Sequence, residues 1–460
     1  MKFILTILLV LVSLLALVLM QAITASIVIA ESRDNPDKPA GNVVLIIGDG
    51  MDDHQITIAR NYLKGVRGRL VLDEMPVRSA VQVLTIDETE PTRPRFVADS
   101  ANSATAIATG TVTSRGRIAT SAREDQDIQT IVELAQQAGM RTGLVTTASV
   151  TDATPASFAA HIKFRRCENP DSMVFMYYGR LADCSKDQKK NGGPGSISEQ
   201  LAASRLDVLL GGGLKHFTVN EEGSSESVER LARSEGFHVI RTKFELSNAH
   251  PGKRLLGLFS DSHLAVRLRG ENGRSAEKPS PGLPAPMACE NNPAYKDTPS
   301  LKLMTQKALE ILSHGNGSGF FLMIESASID KQSHQRNACG SIGELAQLDE
   351  TLAYVLKFAD IHPETLVVVT ADHGQAAQLV PSDSLFSGRG IPVYTPGSMV
   401  RIKMPGGGEM GINYATNEFV AEEHTGVAVP LYANDIGKGL FRPFITQPEI
   451  FNIIRSFLGL

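Results

Sequence analysis

Five short apolar runs, each broken off by glycine or an acid, constrain this chain more than any other feature. Residues 43–47 (VVLII) run into Gly48-Asp49-Gly50, and residues 143–147 lead to Thr151-Asp152-Ala153-Thr154-Pro155. Residues 207–210 close on Gly211-Gly212-Gly213. Residues 319–324 (GFFLMI) end at Glu325, and residues 366–369 end at Thr370-Ala371-Asp372-His373. Short runs without polar alternation are the signature of strands buried on both faces. Amphipathic helical patterns lie between them. Ile128, Ile131, Val132 and Ala135 share one face over residues 127–138, stopped by Gly139. Leu301, Met304, Ala308, Ile311 and Leu312 share another, and Ile342, Leu345, Leu352, Val355 and Leu356 mark a third. Strands alternating with helices predict an α/β fold: a three-layer α/β/α sandwich with a central, mostly parallel sheet and loop insertions. The expected organisation is one domain over 42–460. A Pro-, Gly- and Asn-rich loop excursion is expected near 247–300, and an insertion outside the sheet near 384–423.

The amino-terminal end points to export. Met1-Lys2 precedes an uncharged run over residues 3–30 that reads as the apolar region of a signal peptide, with Val28-Ile29-Ala30 as the cleavage site. The alternative is an uncleaved anchor, since about 20 apolar residues span a bilayer. A polar lead-in follows at 31–41. Either way the bulk of the chain lies outside the cytoplasm. Among 460 residues, 45 Lys and Arg against 50 Asp and Glu leave a net charge of −5, which argues against nucleic-acid binding. Export permits disulfides. Cys167, Cys184, Cys289 and Cys339 allow three pairings. The sequential one is favoured because each pair then closes a local excursion.

The acids are informative by position. Ligands of open α/β sheets bind beyond the carboxyl ends of the strands, where Asp49, Asp152, Glu325, Asp372 and His373 all fall. Carboxylates converging there repel one another unless cations neutralise them. Asp330 and His334 are spaced i, i+4, so a helical turn presents both to one ligand, as a zinc site requires. Ser100 opens a small-residue helix ended by Gly110. A helix N-terminus favours an anion, and Asp99 or Ser100 also reads as an ordinary helix cap. No G-x-S-x-G elbow activates this serine, so a metal is the expected activator.

Taken in order, GDGM (48–51), DSANSATA (99–106), DATP (152–155), HIKFRRC (161–167), IESASIDKQSH (324–334), TADH (370–373) and HTG (424–426) resemble the alkaline phosphatase family, in the branch typified by the exported enzyme of enteric bacteria. The resemblance implies hydrolysis of small-molecule phosphate monoesters through a phosphoserine, with broad specificity and an alkaline optimum. It implies two zinc ions and one magnesium ion per subunit. Asp330, His334 and His424 would hold the first zinc, and Asp49, Asp372 and His373 the second. Thr154 and Glu325 would join Asp49 on magnesium, with Asp152 acting through water. Ser100 would be the nucleophile and Arg165 the phosphate grip, with Lys331 contacting phosphate or the magnesium shell. Two local disulfides, a periplasmic homodimer, and membrane attachment only if the leader is uncleaved complete the picture. A phosphodiesterase of the same superfamily and a non-catalytic exported phosphate- or zinc-binding protein are the competing readings. Asp52, where the family usually has glycine, and Gly374, where a bulkier small residue is common, depart from the pattern. His54, His161, His216 and His314 read as surface or core residues, and Lys163, Lys189 and Lys190 as solvated charge.

Overall fold

A computed structural model describes residues 41–460 apart from 178–179, 280–281, 316, 382–385 and 391–395. The export segment and the lead-in up to residue 40 lie outside the described residues. Among the described residues no helix is long and apolar enough to cross a membrane.

Ten strands build the central sheet: β1 (Asn42–Gly48), β2 (Val77–Gln82), β3 (Arg141–Ser149), β4 (Val208–Gly212), β5 (His238–Ile240), β6 (Leu255–Leu258), β7 (Phe320–Ser326), β8 (Thr365–Ala371), β9 (Val429–Ala433) and β10 (Phe444–Thr446). Their order is β10-β2-β9-β8-β1-β7-β3-β4-β6-β5. All neighbours are parallel except the two pairings made by β9, with β8 and with β2. The five runs read from the sequence all lie in the parallel part, and β1, β7 and β8 are buried at every residue. Each extends one to two residues further than its apolar run, because polar residues such as Thr370 and Ser326 stay in the ladder.

Two sets of helices complete the three layers. Ala338–Ile361 packs against Asp53–Lys64 and Leu301–Ser313. Ser100–Thr109 packs between Ala153–Ala159 and Gln447–Leu458. The helix expected over 127–138 is shorter, Ile131–Gln137. Thr130 caps it and Glu133 closes a capping box, so the cap overrides the apolar periodicity upstream.

The stretch 247–300 needs correcting. It is not loop alone, because it supplies β6 to the central sheet and a two-stranded sheet, Leu268–Gly270 with Cys289–Asn291. A four-residue strand among prolines and glycines leaves no periodic signal. Residues 398–403 and 409–414 join Gln378–Val380 in a separate three-stranded antiparallel sheet, outside the central one. Cys167 is bonded to Cys184, and Cys289 to Cys339. The second bridge ties the two-stranded sheet to the first turn of helix Ala338–Ile361.

Register sets up the site. Gly48 is level with Ala371 of β8 and Ser326 of β7, and Glu325 is level with Thr146 of β3. The residues that follow these strands therefore emerge side by side at one edge of the sheet. Because β1 lies at the centre of this arrangement, a cavity there is expected to be costly. Leu45→Ala should destabilise the chain by about 3 kcal/mol. A urea midpoint lowered in proportion, with an unchanged m value, would bear this out.

Candidate active site

Asp49 leaves β1 at a tight turn. Gly50 has φ +66°, and a side chain there would press on Asp330 and Gln375, so glycine is needed. The Gly50 N–H donates to Asp372 Oδ1 at 3.0 Å, which binds the ends of β1 and β8 together. Asp330 and His334 project from the short helix Ser328–His334 that follows β7. Ser100 is the first residue of helix Ser100–Thr109, whose start is fixed by Asp99: the Asn102 N–H donates to Asp99 Oδ1 at 3.1 Å.

The side chains converge. Ser100 Oγ lies 3.4 Å from Asp49 Oδ1 and 3.1 Å from His373 Nε2. His334 Nε2 and His424 Nε2 are each 3.3 Å from an Asp330 oxygen and 3.0 Å from each other. His373 Nε2 is 3.4 Å from both Asp49 Oδ1 and Asp372 Oδ2. The His373 and His424 rings stack at 3.7 Å. On the far side, Lys331 Nζ sits 2.8 Å from Asp152 Oδ2 and 3.6 Å from Asp49 Oδ2. The Arg165 guanidinium is held between Asp99 Oδ2, 3.3 Å, and Asp152 Oδ1, 2.9 Å. Thr146 and Thr154 hydroxyls bond to Glu325. The residues that the sequence reading assigns to catalysis, phosphate and metals thus lie in one cluster.

Other sequence readings fare differently. His54 and His314 are exposed. His161 is bonded to the Ala119 carbonyl and Glu133, 3.0 Å each. His216 is buried against Glu168 at 3.0 Å. Lys189 is not freely solvated, since it pairs with Glu221 at 2.5 Å and Glu199 at 3.4 Å.

Several contributors escape sequence reasoning. The Gln375 side-chain amide donates to Asp330 Oδ1, and its backbone N–H donates to Asp52 Oδ2 at 3.0 Å. Asp52 also caps helix Asp53–Lys64 by accepting from the Gln55 N–H at 3.0 Å. The departure at position 52 is therefore a doubly bonded, buried cap that holds Gln375 against Asp330. The backbone carbonyls of Glu422 and Ala98 fix the outer nitrogens of His334 and His424. His263 Nδ1 accepts from the Ser149 N–H at 3.1 Å and lies 3.9 Å from Asp152. At Gly374, a Cβ would fall 2.4 Å from Val427 and 2.7 Å from Thr425 Oγ1, which accounts for glycine there. A glutamine or a carbonyl carries no charge or spacing to mark it in the sequence.

Six carboxyl groups, Asp49, Asp99, Asp152, Glu325, Asp330 and Asp372, meet two fixed cations, Arg165 and Lys331. Burial, followed by Asp330 and Asp372, pushes the Asp49 carboxyl well above the usual range. Burial likewise pushes Glu325 up to about 7 and Asp372 up to about 6. Burial opposes ionisation of Asp152 as well, but Lys331 and Arg165 outweigh it and hold that group well below the usual range. At Asp330 burial is outweighed by His334 and His424. Burial and neighbouring His424 keep His373 neutral.

This donor set fits divalent cations. The ligand atoms of Asp330, His334 and His424 lie within 4.8 Å of one another, as do those of Asp49, Asp330 and His373. Mixed carboxylate and imidazole donors suit zinc, whereas the all-oxygen grouping of Asp49, Thr154 and Glu325 suits magnesium. Asp372 Oδ2 and Arg165 Nε are fully buried without a hydrogen-bond partner. An acceptor and a donor left over in this way are what a cation and an anion would satisfy.

The chain matches the alkaline phosphatase family profile over residues 40–402. It is 40% identical to streptomycin-6-phosphate phosphatase of Streptomyces griseus, over 96% of this chain and 95% of that protein. It is 37% identical to alkaline phosphatase of Escherichia coli K12, over 94% and 89%. Alkaline phosphatase from the Antarctic bacterium TAB5 shares the fold, with a TM-score of 0.67 at 23% identity over 92% of this chain and 99% of that one.

Two outcomes follow from the electrostatics. Burial raises Glu325, Asp372 and Glu344 to about 7, 6 and 7. The folded metal-free chain therefore binds more protons than the unfolded chain from about pH 4 to 7, so these groups lose it stability as pH rises. His263, held down at about 4 by burial and Lys331, and His373 act oppositely, but only up to the unfolded histidine value of about 6.5. Chelated protein should melt at a lower temperature at pH 8 than at pH 6.5, and zinc with magnesium should raise Tm more at pH 8. The reverse order in chelated protein would contradict this account. Separately, Asp52→Asn should keep the helix cap but turn an amide donor toward the Gln375 N–H, which costs about 1–3 kcal/mol of stability and frees Gln375. Zinc affinity should then fall roughly tenfold in competition with a chromophoric chelator, and unchanged affinity would argue against the relay.

Proposed function

This chain belongs to the alkaline phosphatase family, a metal-binding hydrolase of phosphate monoesters, and we propose that it works through a phosphoserine formed on Ser100. In this reading Asp330, His334 and His424 hold one zinc ion, and Asp49, Asp372 and His373 hold a second. Asp49, Thr154 and Glu325 would hold magnesium, with Asp152 acting through water. When bound, these cations supply the positive charge and Lewis acidity that lower the serine pKa and stabilise charged oxygens.

The chain's own groups do the rest. The Ser100 helix presents Oγ at its N-terminus, where the dipole favours the approaching phosphate. Arg165 binds the phosphoryl oxygens, for which its planar fork is suited. Its two carboxylate partners aim the fork beforehand, so little ordering is left to binding. Lys331, between Asp49 and Asp152, adds a second fixed charge beside the phosphoryl group. Ser100 Oγ loses its proton and attacks phosphorus in line; the bond from phosphorus to the ester oxygen breaks, and that oxygen takes up a proton and leaves as the alcohol. Water then attacks the phosphoserine: its oxygen goes to the released phosphate, and one of its protons goes to Oγ. The transition state spreads negative charge over the phosphoryl oxygens, so fixed cations are the appropriate groups.

The observation that carries this reading is the position of Ser100 Oγ, 3.4 Å from Asp49 and 3.1 Å from His373 inside the buried acid and imidazole cluster. We extend it to broad alcohol specificity, an alkaline optimum, export to the periplasm and a homodimeric assembly. The related Streptomyces protein is named for streptomycin 6-phosphate, a single phosphate ester, and the same chemistry serves a narrower natural substrate equally well.

Purified enzyme should hydrolyse p-nitrophenyl phosphate, prefer it to bis(p-nitrophenyl) phosphate, and lose activity on extensive chelation. Ser100→Ala should reduce kcat by about 10³-fold or more while retaining bound zinc. Wild-type turnover by that variant would exclude the covalent serine route, and preference for the diester would favour a phosphodiesterase.

A further inference from the structure

Glu168 lies three residues after Arg165 and takes no part in the scheme above. Its side chain is mostly buried and turns toward the loop that carries Asp152. One oxygen, Oε2, accepts from the Thr151 hydroxyl at 2.7 Å and lies 3.0 Å from His216 Nε2. Thr151 is completely buried and immediately precedes Asp152. His216 is fixed from behind, because the Asn169 side-chain amide donates to its Nδ1 at 2.9 Å. That leaves Nε2 as the N–H facing Glu168. The backbone at Glu168 is anchored too, since its carbonyl accepts from the Ser198 N–H at 2.9 Å. The other carboxylate oxygen is 3.8 Å from Arg166.

This arrangement duplicates the Arg165–Asp152 contact with a second tie between the same two segments. Arg165 hangs between Asp99 and Asp152, so its aim depends on how far apart those carboxylates are held. The Asp99 side is fixed: the Gly116 N–H donates to both Asp99 oxygens at 3.1 Å. The Asp152 side sits on a loop that the Glu168–Thr151 bond braces. A shielded carboxylate oxygen serving two donors resists displacement: its loss takes this acceptor from the His216 N–H and leaves the Thr151 hydroxyl only Ser149 Oγ, at 2.7 Å, within the same loop.

We propose that Glu168 is a positioning residue for phosphate binding, bracing the Asp152 loop against the Arg165 segment so that the guanidinium is held in its gripping orientation. The proposal rests on the reading of Arg165 as the phosphate grip, and the test separates the two. Glu168→Ala, Arg165→Ala and the double variant are compared as metal-loaded enzymes. The readouts are Ki for inorganic phosphate, together with KM and kcat for p-nitrophenyl phosphate.

Glu168→Ala should raise KM and Ki about tenfold with kcat within about threefold, since misaiming costs binding before it costs chemistry. Glu168→Gln keeps an acceptor oxygen toward Thr151 and His216 and should restore both constants to within about twofold of wild type. In the Arg165→Ala background, adding Glu168→Ala should change Ki by less than about twofold, because the two act on one interaction. If Glu168→Ala leaves Ki at the wild-type value, or weakens binding equally in both backgrounds, the brace is refuted. If Arg165→Ala leaves Ki unchanged, the grip reading fails and the proposal fails with it. Should Glu168→Ala not fold, Thr151→Val removes the same bond from the other end and is read by the same criteria.

Discussion

Repulsion among carboxylates at the ends of neighbouring strands is the constraint that the rest of the structure answers. β8, β1, β7 and β3 lie side by side and level, so Asp372, Asp49, Glu325 and the loop bearing Asp152 are brought together at one edge. Adjacent strands are about 4.8 Å apart, and the site is shielded from water, so the acids cannot all ionise unaided. The chain answers in two ways. Lys331 and Arg165 are placed where they keep Asp152 charged. The imidazoles of His334 and His424 lie beside Asp330 on the other side, and His373, kept neutral by burial, faces Asp49 and Asp372. The remaining imbalance is a standing affinity for divalent cations and, once they are bound, for a phosphate anion. The apolar strands beneath hold the edge together against it, since none of their residues faces water.

What the sequence made legible follows from the same constraint. A strand buried on both faces has to be apolar, and an acid directly after it stands out, so Asp49, Glu325 and Asp372 were readable one at a time. The i, i+4 pair of Asp330 and His334 was readable because a helical turn imposes that spacing. Assembly into one ordered set was readable through the family resemblance. The chemistry of any single segment was too common to carry it. Strand β6 was missed because a short strand paired on both sides needs no periodicity of its own. At the opposite end of the sheet β2 and the edge strand β10 mix polar and apolar residues, since their neighbours rather than their composition place them. Gln375, His263 and the carbonyls of Ala98 and Glu422 stayed hidden because orientation of a ligand is a tertiary property with no local signature.

Lys189 shows the converse error. A lysine beside a second lysine and an asparagine reads as solvated charge, yet its ammonium is drawn into a cluster with Glu199 and Glu221. Both glutamates lie at a distance in sequence, and Glu199 is spent locally as the capping-box partner of Ser196. Local composition describes the residue, and only the fold reveals its partners.

Three acids around the site have a double use that links helix formation to chemistry. Asp52, Asp99 and Asp152 each cap a helix by accepting a backbone N–H. Each also spends its remaining acceptor capacity on a site group: Asp52 on Gln375, Asp99 on Arg165, and Asp152 on Arg165 and Lys331. A cap fixes the carboxylate to within the tolerance of a hydrogen bond, and losing it costs the helix about 0.5–2 kcal/mol. The groups that aim the guanidinium and the metal ligands are therefore set by where helices begin. Reading Asp99 as an ordinary cap and reading it as part of the active site describe one arrangement. The cap supplies the rigidity that electrostatic catalysis needs, because a dipole or charge that must reorganise during the reaction gives back much of what it contributes.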